Sequence, residues 1–276
     1  MKPLNEWPLE RRQQVIGVFT DIDDTLTTEG AITPDALQAL HELKAAGYAL
    51  IAITGRPVGW SEPFALEWPV DCIVAENGSV ALFKNDFSRK TSQSPANNLH
   101  SLLSKSYQMD AVTRERNHAH LQHVLARIER EVQGAVRSTD SAGRETDIAI
   151  DHSEFTHLDA EKITQVVKIM QSEGLQATVS SIHINGWIGV HNKLQGAYWI
   201  ARELYGRDLS QEMNRWVYVG DSTNDQLMFE AFENSVGVAN VARFVPELKH
   251  LPRYVCTLER GAGFAELATL LNSSAH

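Results

Sequence analysis

Val15–Thr20 is the first strongly patterned stretch of the chain, an apolar run rich in β-branched residues that predicts a strand. Pro34 then leads a segment with Leu37, Leu40 and Leu43 at helical spacing, and Gly47 stops it. Tyr48–Ile53 reads as a second strand and Arg56–Leu66 as a short helix broken by Pro63. Cys72–Ala75 reads as a third strand, before the turn Glu76-Asn77-Gly78. The alternation resumes near the carboxyl end, with a helix over Lys193–Tyr205, a strand Trp216–Val219, a helix near Asp225–Phe232 and a strand Ser235–Val238. Gly261-Ala262-Gly263 then opens a last helix, Phe264–Leu271. Repeated units of this kind predict an α/β fold, a three-layer, Rossmann-like core in which a parallel sheet is covered by helices.

Between these halves the rhythm changes. A polar stretch, Ser88–Asn98, precedes a helix over about Thr113–Gln133 that carries Leu121, Val124, Leu125, Ile128 and Val132 on one face. A second helix, Ala160–Ser172, carries Ile163, Val166, Val167 and Met170, and short strands fall near Asp147–Asp151 and Leu175–Ile184. We read residues 85–187 as an inserted α+β cap domain dividing a catalytic core of residues 1–84 and 188–276. The chain has no long internal repeat and no low-complexity tract.

Composition narrows the partners. With 25 Lys and Arg against 35 Asp and Glu, the formal charge of −10 leaves no basic surplus for tracking a phosphate backbone, so no nucleic acid partner is expected. The longest apolar runs are too short to cross a bilayer, and the amino-terminal MKPLNEWPLERRQQ lacks the apolar core of a signal peptide. No membrane association is expected. Cys72 and Cys256 form neither a disulfide framework nor a zinc spacing, which fits a reducing cytoplasm.

The candidate chemistry collects where strands end. Asp21-Ile22-Asp23-Asp24-Thr25 directly follows the first strand, and ligands of open parallel sheets bind beyond the carboxyl ends of the strands. Asp21 and Asp23, two apart on extended backbone, project to one side. A calcium loop of the EF-hand kind is excluded by Leu26 and Ile32, where Gly and Glu are required. Gly220-Asp221-Ser222-Thr223-Asn224-Asp225 brings two more carboxylates to the same sheet edge. Four unpaired carboxylates in one place would repel each other into protonation, so a cation is expected, and all-oxygen ligation suits magnesium. Thr54-Gly55-Arg56 ends the second strand with a hydroxyl and a backbone N–H, and Lys193 opens the helix that resumes the core.

These four motifs together resemble those of haloacid dehalogenase superfamily phosphatases with a large cap inserted after the third core strand, the Cof-like and sucrose-phosphatase-like group. The resemblance implies that Asp21 is the nucleophile and Asp23 the acid and base. It implies that Thr54, Gly55, Lys193 and Asn224 hold phosphate, and that Asp21, Asp23, Asp221 and Asp225 serve Mg2+, with Arg56 a further substrate contact. Asp24 stands where many relatives carry Gly. Glu76-Asn77-Gly78 resembles the turn found at this point in the large-cap group, and the carboxyl-terminal stretch resembles that of mannosyl-phosphoglycerate phosphatases. The implied activity is magnesium-dependent hydrolysis of a small phosphomonoester, a sugar phosphate foremost, through an aspartyl-phosphate. A phosphomannomutase-like phosphotransferase and a non-catalytic phospho-ligand binding protein are the alternatives.

Other residues carry less. His118, His120 and His123 read as a solvated helix face rather than a metal site, and Trp60, Phe64 and Trp68 as helix packing. Trp187 is either core or part of a sugar-binding seam. His152, Ser153, Ser180 and Ser181 are the candidates in the insertion for choosing the substrate.

Overall fold

The computed structural model describes residues 1–85 and 102–274, so the polar stretch Ser88–Asn98 lies outside the described residues. The strands are β1 Lys2–Pro3, β2 Gly17–Thr20, β3 Thr27–Thr28, β4 Ala31–Ile32, β5 Ala49–Ile53, β6 Cys72–Ala75, β7 Val80–Lys84 and β8 Leu103–Tyr107. They continue as β9 Val136–Arg137, β10 Asp147–Asp151, β11 Gln176–Val179, β12 His183–Trp187, β13 Trp216–Gly220, β14 Asn234–Gly237 and β15 Tyr254–Val255. The helices are α1 Leu9–Arg12, α2 Pro34–Ala45, α3 Val58–Glu67, α4 Ala111–Glu131, α5 Ala160–Ser172, α6 Lys193–Tyr205, α7 Leu209–Glu212, α8 Gln226–Ala231 and α9 Arg260–Asn272.

The main sheet has the order β1-β15-β14-β13-β2-β5-β6-β7-β8. Pairing is parallel from β1 through β6 and antiparallel over β7 and β8. Successive residues of its central strands face opposite cores, as the pleat requires. Val18, Leu50 and Val217 pack with Leu40 and Leu43 of α2 and with Phe264 and Leu267 of α9. Their neighbours Phe19, Ile51 and Tyr218 pack with Ala197 and Ile200 of α6 and with Met228 and Phe229 of α8. A sheet buried on both faces this way is the expected three-layer α/β core.

β9 to β12 form a separate antiparallel sheet in the order β11-β12-β10-β9. One face is covered by α4 and α5, where Leu121, Leu125, Ile128, Val166 and Met170 enclose Ile148, Ile150 and Ile184. The alternate residues Asp147, Ala149 and Asp151, paired with Trp187, Asn185 and His183, occupy the other face.

Four expectations need correction. Leu175–Ile184 is not one strand but the hairpin β11–β12, bent where the Ser180 hydroxyl accepts the N–H of His183 at 3.0 Å. β7 and β8 were not foreseen. β8 (LSKSY) falls within the stretch read as the insertion, yet its register, Val80 opposite Tyr107 to Lys84 opposite Leu103, makes it an edge of the main sheet. Its polar alternation suits an edge and hides it from an apolar-run search. Finally, Pro63 does not break α3. The lost backbone bond is offset by packing of Val58 and Ala65 and by the ring series Trp60, Phe64 and Trp68, with centroids 4.5 and 4.8 Å apart. No helix among the described residues is long and apolar enough to cross a membrane.

Candidate active site

β13 and β2 are parallel neighbours with Val219 opposite Thr20, so their carboxyl ends coincide. The residues that follow, Asp21 and Asp221, therefore arrive side by side, and the Asp21 N–H bonds the Val219 carbonyl at 2.9 Å. Lys193 stands at the start of α6, whose preceding residue Asn192 accepts the Gln195 N–H at 2.9 Å and caps the helix. From there the Lys193 ammonium reaches Asp21 Oδ1 and Asp225 Oδ1, each at 2.7 Å. Asp225 is fully engaged: Oδ1 also accepts the Tyr218 hydroxyl, and Oδ2 accepts the N–H groups of Asp221 at 2.9 Å and Ser222 at 3.1 Å. Gly220 makes this fold-back possible, because a Cβ there would stand 2.3 Å from Asp225 Oδ2.

Asp21, Asp221 and Asp225 are buried, with one oxygen of each within 4.8 Å of the others. Burial is the main force pushing Asp21 up to about 7, against the pull of Lys193. It also lifts Asp221 well above the carboxylate range, helped by Asp225 and Asp21. Burial works against the Lys193 charge too, but Asp21 and Asp225 outweigh it and raise its pKa above the ordinary lysine value. The cation that the clustered acids require is thus supplied in part by the chain itself. What remains unmet is concentrated on Asp221: its Oδ2 accepts from Asn240 Nδ2 at 3.0 Å, whereas its buried Oδ1 has no hydrogen-bond partner among the described residues. An orphaned oxygen in a cluster of three buried carboxylates fits a hard divalent cation such as magnesium.

Asp23 is not part of that cluster. Its carboxylate is held by Arg56, with Nε at 2.9 and 3.0 Å from its two oxygens and Nη2 at 2.8 Å from Oδ1. Arg56 is 4% exposed and lies 4.9 Å from the Trp60 ring centroid, so the guanidinium plane is fixed. It also reaches Asp140 at 3.3 Å and Glu154 at 2.7 Å, and Glu154 in turn meets His183 Nε2 at 2.9 Å. The fully buried Thr54 accepts the Arg56 N–H at 3.0 Å. The Gly55 carbonyl accepts Arg144 Nη1 at 3.0 Å and Asn185 Nδ2 at 3.2 Å, and Asn224 Oδ1 accepts the Ser222 hydroxyl at 2.9 Å. Asp21, Lys193, Asp221 and Asp225 thus form one cluster, and Asp23 with Arg56 a second.

Sequence reasoning missed Asp140, Glu154 and His183 and chose their neighbours. His152 bonds the Ser180 carbonyl and Ser153 the Ser181 carbonyl, each at 3.0 Å, so these four residues tie the β10 and β11–β12 loops together. It also missed Tyr218 and Asn240, the partners of Asp225 and Asp221. The pattern Asp147-Ile148-Ala149-Ile150-Asp151 was the available signal, since its isoleucines face the helices and its acids the other way. His118 and His123 are exposed, and His120 bonds the Glu173 carbonyl at 3.0 Å, in keeping with a helix face. Trp187 is buried and donates to the His191 carbonyl at 2.9 Å.

Residues 18–266 match the model of a family described as haloacid dehalogenase-like hydrolase. No curated protein matches the sequence significantly. Among solved structures, a protein from Thermoplasma acidophilum is similar at 15% identity and TM-score 0.69, over 93% of this chain and 98% of that one. A HAD/COF-like hydrolase from Plasmodium vivax is similar at 15% identity and TM-score 0.65, over 95% and 98%. The sucrose-phosphatase of Synechocystis sp., solved with sucrose and phosphate, is similar at 16% identity and TM-score 0.62, over 94% and 98%. At these identities the likeness is one of fold.

Proposed function

From the premise that the chain belongs to the haloacid dehalogenase-like hydrolase family, we propose that it is a phosphatase that hydrolyses a small phosphomonoester, a sugar phosphate foremost, with Asp21 as nucleophile. The observation that carries this reading is the meeting of Asp21 with Lys193 and with Asp221, whose Oδ1 has no partner among the described residues, at one sheet edge. Asp21 and Asp221 would hold Mg2+, with Asp225 behind them. When bound, the ion supplies positive charge that keeps both carboxylates ionised and neutralises phosphate oxygen.

An Asp21 oxygen attacks phosphorus, the ester P–O bond breaks, and its electron pair leaves on the ester oxygen, which takes a proton from Asp23. Water then attacks the aspartyl-phosphate, gives its proton to Asp23, and the Asp21 carboxylate departs with inorganic phosphate released. Lys193 orients Asp21 and places a fixed charge beside the incoming phosphate, whose other oxygens are assigned to the Thr54 hydroxyl, the Gly55 N–H and Asn224. Arg56 fixes the direction of the Asp23 carboxylate. Residues 85–187 act as the cap that covers the phosphate, apart from β8, and the enzyme works on a soluble metabolite in the cytoplasm.

The test is phosphate release from a panel of phosphorylated metabolites and an aryl phosphate, with magnesium and after exhaustive chelation. Release that needs magnesium and vanishes in Asp21→Asn is expected. Undiminished turnover in either the chelated protein or that variant would overturn the assignment.

A further inference from the structure

Arg56 is surrounded by three carboxylates, of which Asp23 comes from the main sheet edge and Asp140 and Glu154 from the second sheet. Glu154 is held on both oxygens. Oε1 meets Arg56 Nη2 at 2.7 Å and Oε2 meets His183 Nε2 at 2.9 Å. Its loop is fixed as well, because the Asp151 carboxylate accepts the N–H groups of Ser153, Glu154 and Phe155 at 2.9 to 3.0 Å.

A purely structural ion pair beside it, within the second sheet's own segment, has a different signature. Arg144 and Asp147, bonded at 2.9 and 3.0 Å, have side chains 2% and 0% exposed. Around Arg56 the guanidinium is equally buried, yet Asp23, Asp140 and Glu154 keep 14%, 11% and 17% of their side-chain surface. Buried on the cationic side and open on the anionic side, this group borders accessible space beside the carboxylate assigned to protonate the leaving group.

We propose that Glu154, fixed through Arg56 and His183, and Asp140, fixed through Arg56 and Arg144, determine substrate specificity by admitting an uncharged, hydroxyl-rich leaving group and rejecting an anionic one. This rests on the phosphomonoesterase reading. A hydroxyl donates to the spare lone pairs of the exposed carboxylates without bringing a charge. A leaving group bearing a carboxylate or second phosphate meets Glu154 and Asp140 as like charges.

The experiment compares kcat/KM, with magnesium, for glucose 6-phosphate, 3-phosphoglycerate and 4-nitrophenyl phosphate. Wild-type protein is expected to favour glucose 6-phosphate over 3-phosphoglycerate by about tenfold or more, well within the reach of one like-charge contact near a protein surface. In Glu154→Gln, and separately in Asp140→Asn, the ratio of 3-phosphoglycerate to glucose 6-phosphate should rise at least about fivefold. The ratio is insensitive to the amount of folded enzyme, and two variants guard against one misfolding. Equal use of 3-phosphoglycerate and glucose 6-phosphate by wild type, or an unmoved ratio in both variants, overturns the proposal. If 4-nitrophenyl phosphate is hydrolysed meanwhile, the phosphatase reading survives that failure, whereas inertness toward all three esters sinks both.

Discussion

Replacing Asp221 by Asn should make the magnesium-free protein more stable while abolishing its response to magnesium. The wild-type carboxylate is buried, its Oδ1 has no partner among the described residues, and oxygens of Asp21 and Asp225 lie within 4.8 Å. At an effective dielectric constant of about 20, two like charges that far apart repel by about 3.5 kcal/mol. Lys193 cancels part of this, since it already pairs with both neighbours at 2.7 Å. The amide keeps an oxygen for Asn240 and turns an N–H toward the carboxylates. A net gain of about 1–3 kcal/mol at pH 8 follows, or several degrees in melting temperature for a chain of this size. The sign with pH is fixed by the direction of the shift. The folded-state pKa of Asp221 is raised, so the wild-type penalty is full above that pKa and fades as pH falls from it toward the ordinary carboxylate value. Thermal melts in chelator at pH 8 and pH 5 provide the measurement, repeated with excess magnesium. Magnesium should stabilise wild type at pH 8 and leave Asp221→Asn unmoved. A variant less stable than wild type in chelator at pH 8, or an advantage undiminished at pH 5, would refute the reasoning.

Three further outcomes are expected. In Asp23→Asn, phosphorylation from an alkyl phosphate should fall about 10²–10⁴-fold, while an aryl phosphate, whose leaving group needs no proton, should lose far less, as single-turnover kinetics will show. A Cβ on Gly59 would stand 2.9 Å from the Gly143 Cα, so Gly59→Ala should force the two sheets apart. Its sugar-phosphate kcat/KM should fall, and amide exchange over residues 138–147 should quicken; unchanged exchange would show that the contact yields without opening. Tyr218→Phe removes one of four donors to the buried Asp225 and should lower stability by about 1–2 kcal/mol in a denaturant titration; an unchanged midpoint would show that the bond adds nothing.

The main sheet was legible because its strands are short apolar runs that end in chemistry. Asp21, Thr54 and Asp221 each follow such a run directly, and parallel register alone brings their strand ends to one edge. Lys193 was legible as the first residue of a helix, though not as the partner of two acids at once. Asp140, Glu154 and His183 were not, because they come from loops and a hairpin whose places depend on the packing of α4 and α5. No spacing in the sequence relates positions 56, 140, 154 and 183. Asp23 shows the same limit: its neighbours in sequence do not reveal that the guanidinium of Arg56, from the loop after β5, bonds both its oxygens.

The way the two sheets meet explains why the site depends on contacts the sequence hides. The apolar core under α4 and α5 is separate from both cores of the main sheet. What joins the layers around the site is polar. Glu76 accepts the N–H groups of Glu145 at 2.9 Å and Thr146 at 2.6 Å, Thr223 donates to the Val179 carbonyl at 2.6 Å, and Arg144 and Arg56 cross between the sheets. Hydrogen bonds exchanged against water are worth about 0.5–1.5 kcal/mol each, far less per contact than a shared apolar core. Parting two separate cores that touch through such bonds would unpack neither one. In this closed arrangement Glu154 and Asp140 lie on Arg56, and Arg56 on Asp23, so the acid and base group draws part of its set of neighbours from the loops of the second sheet. A substrate that touches both sheets adds its own contacts to that closed arrangement, which links recognition of the leaving group to the orientation of the residue that must protonate it.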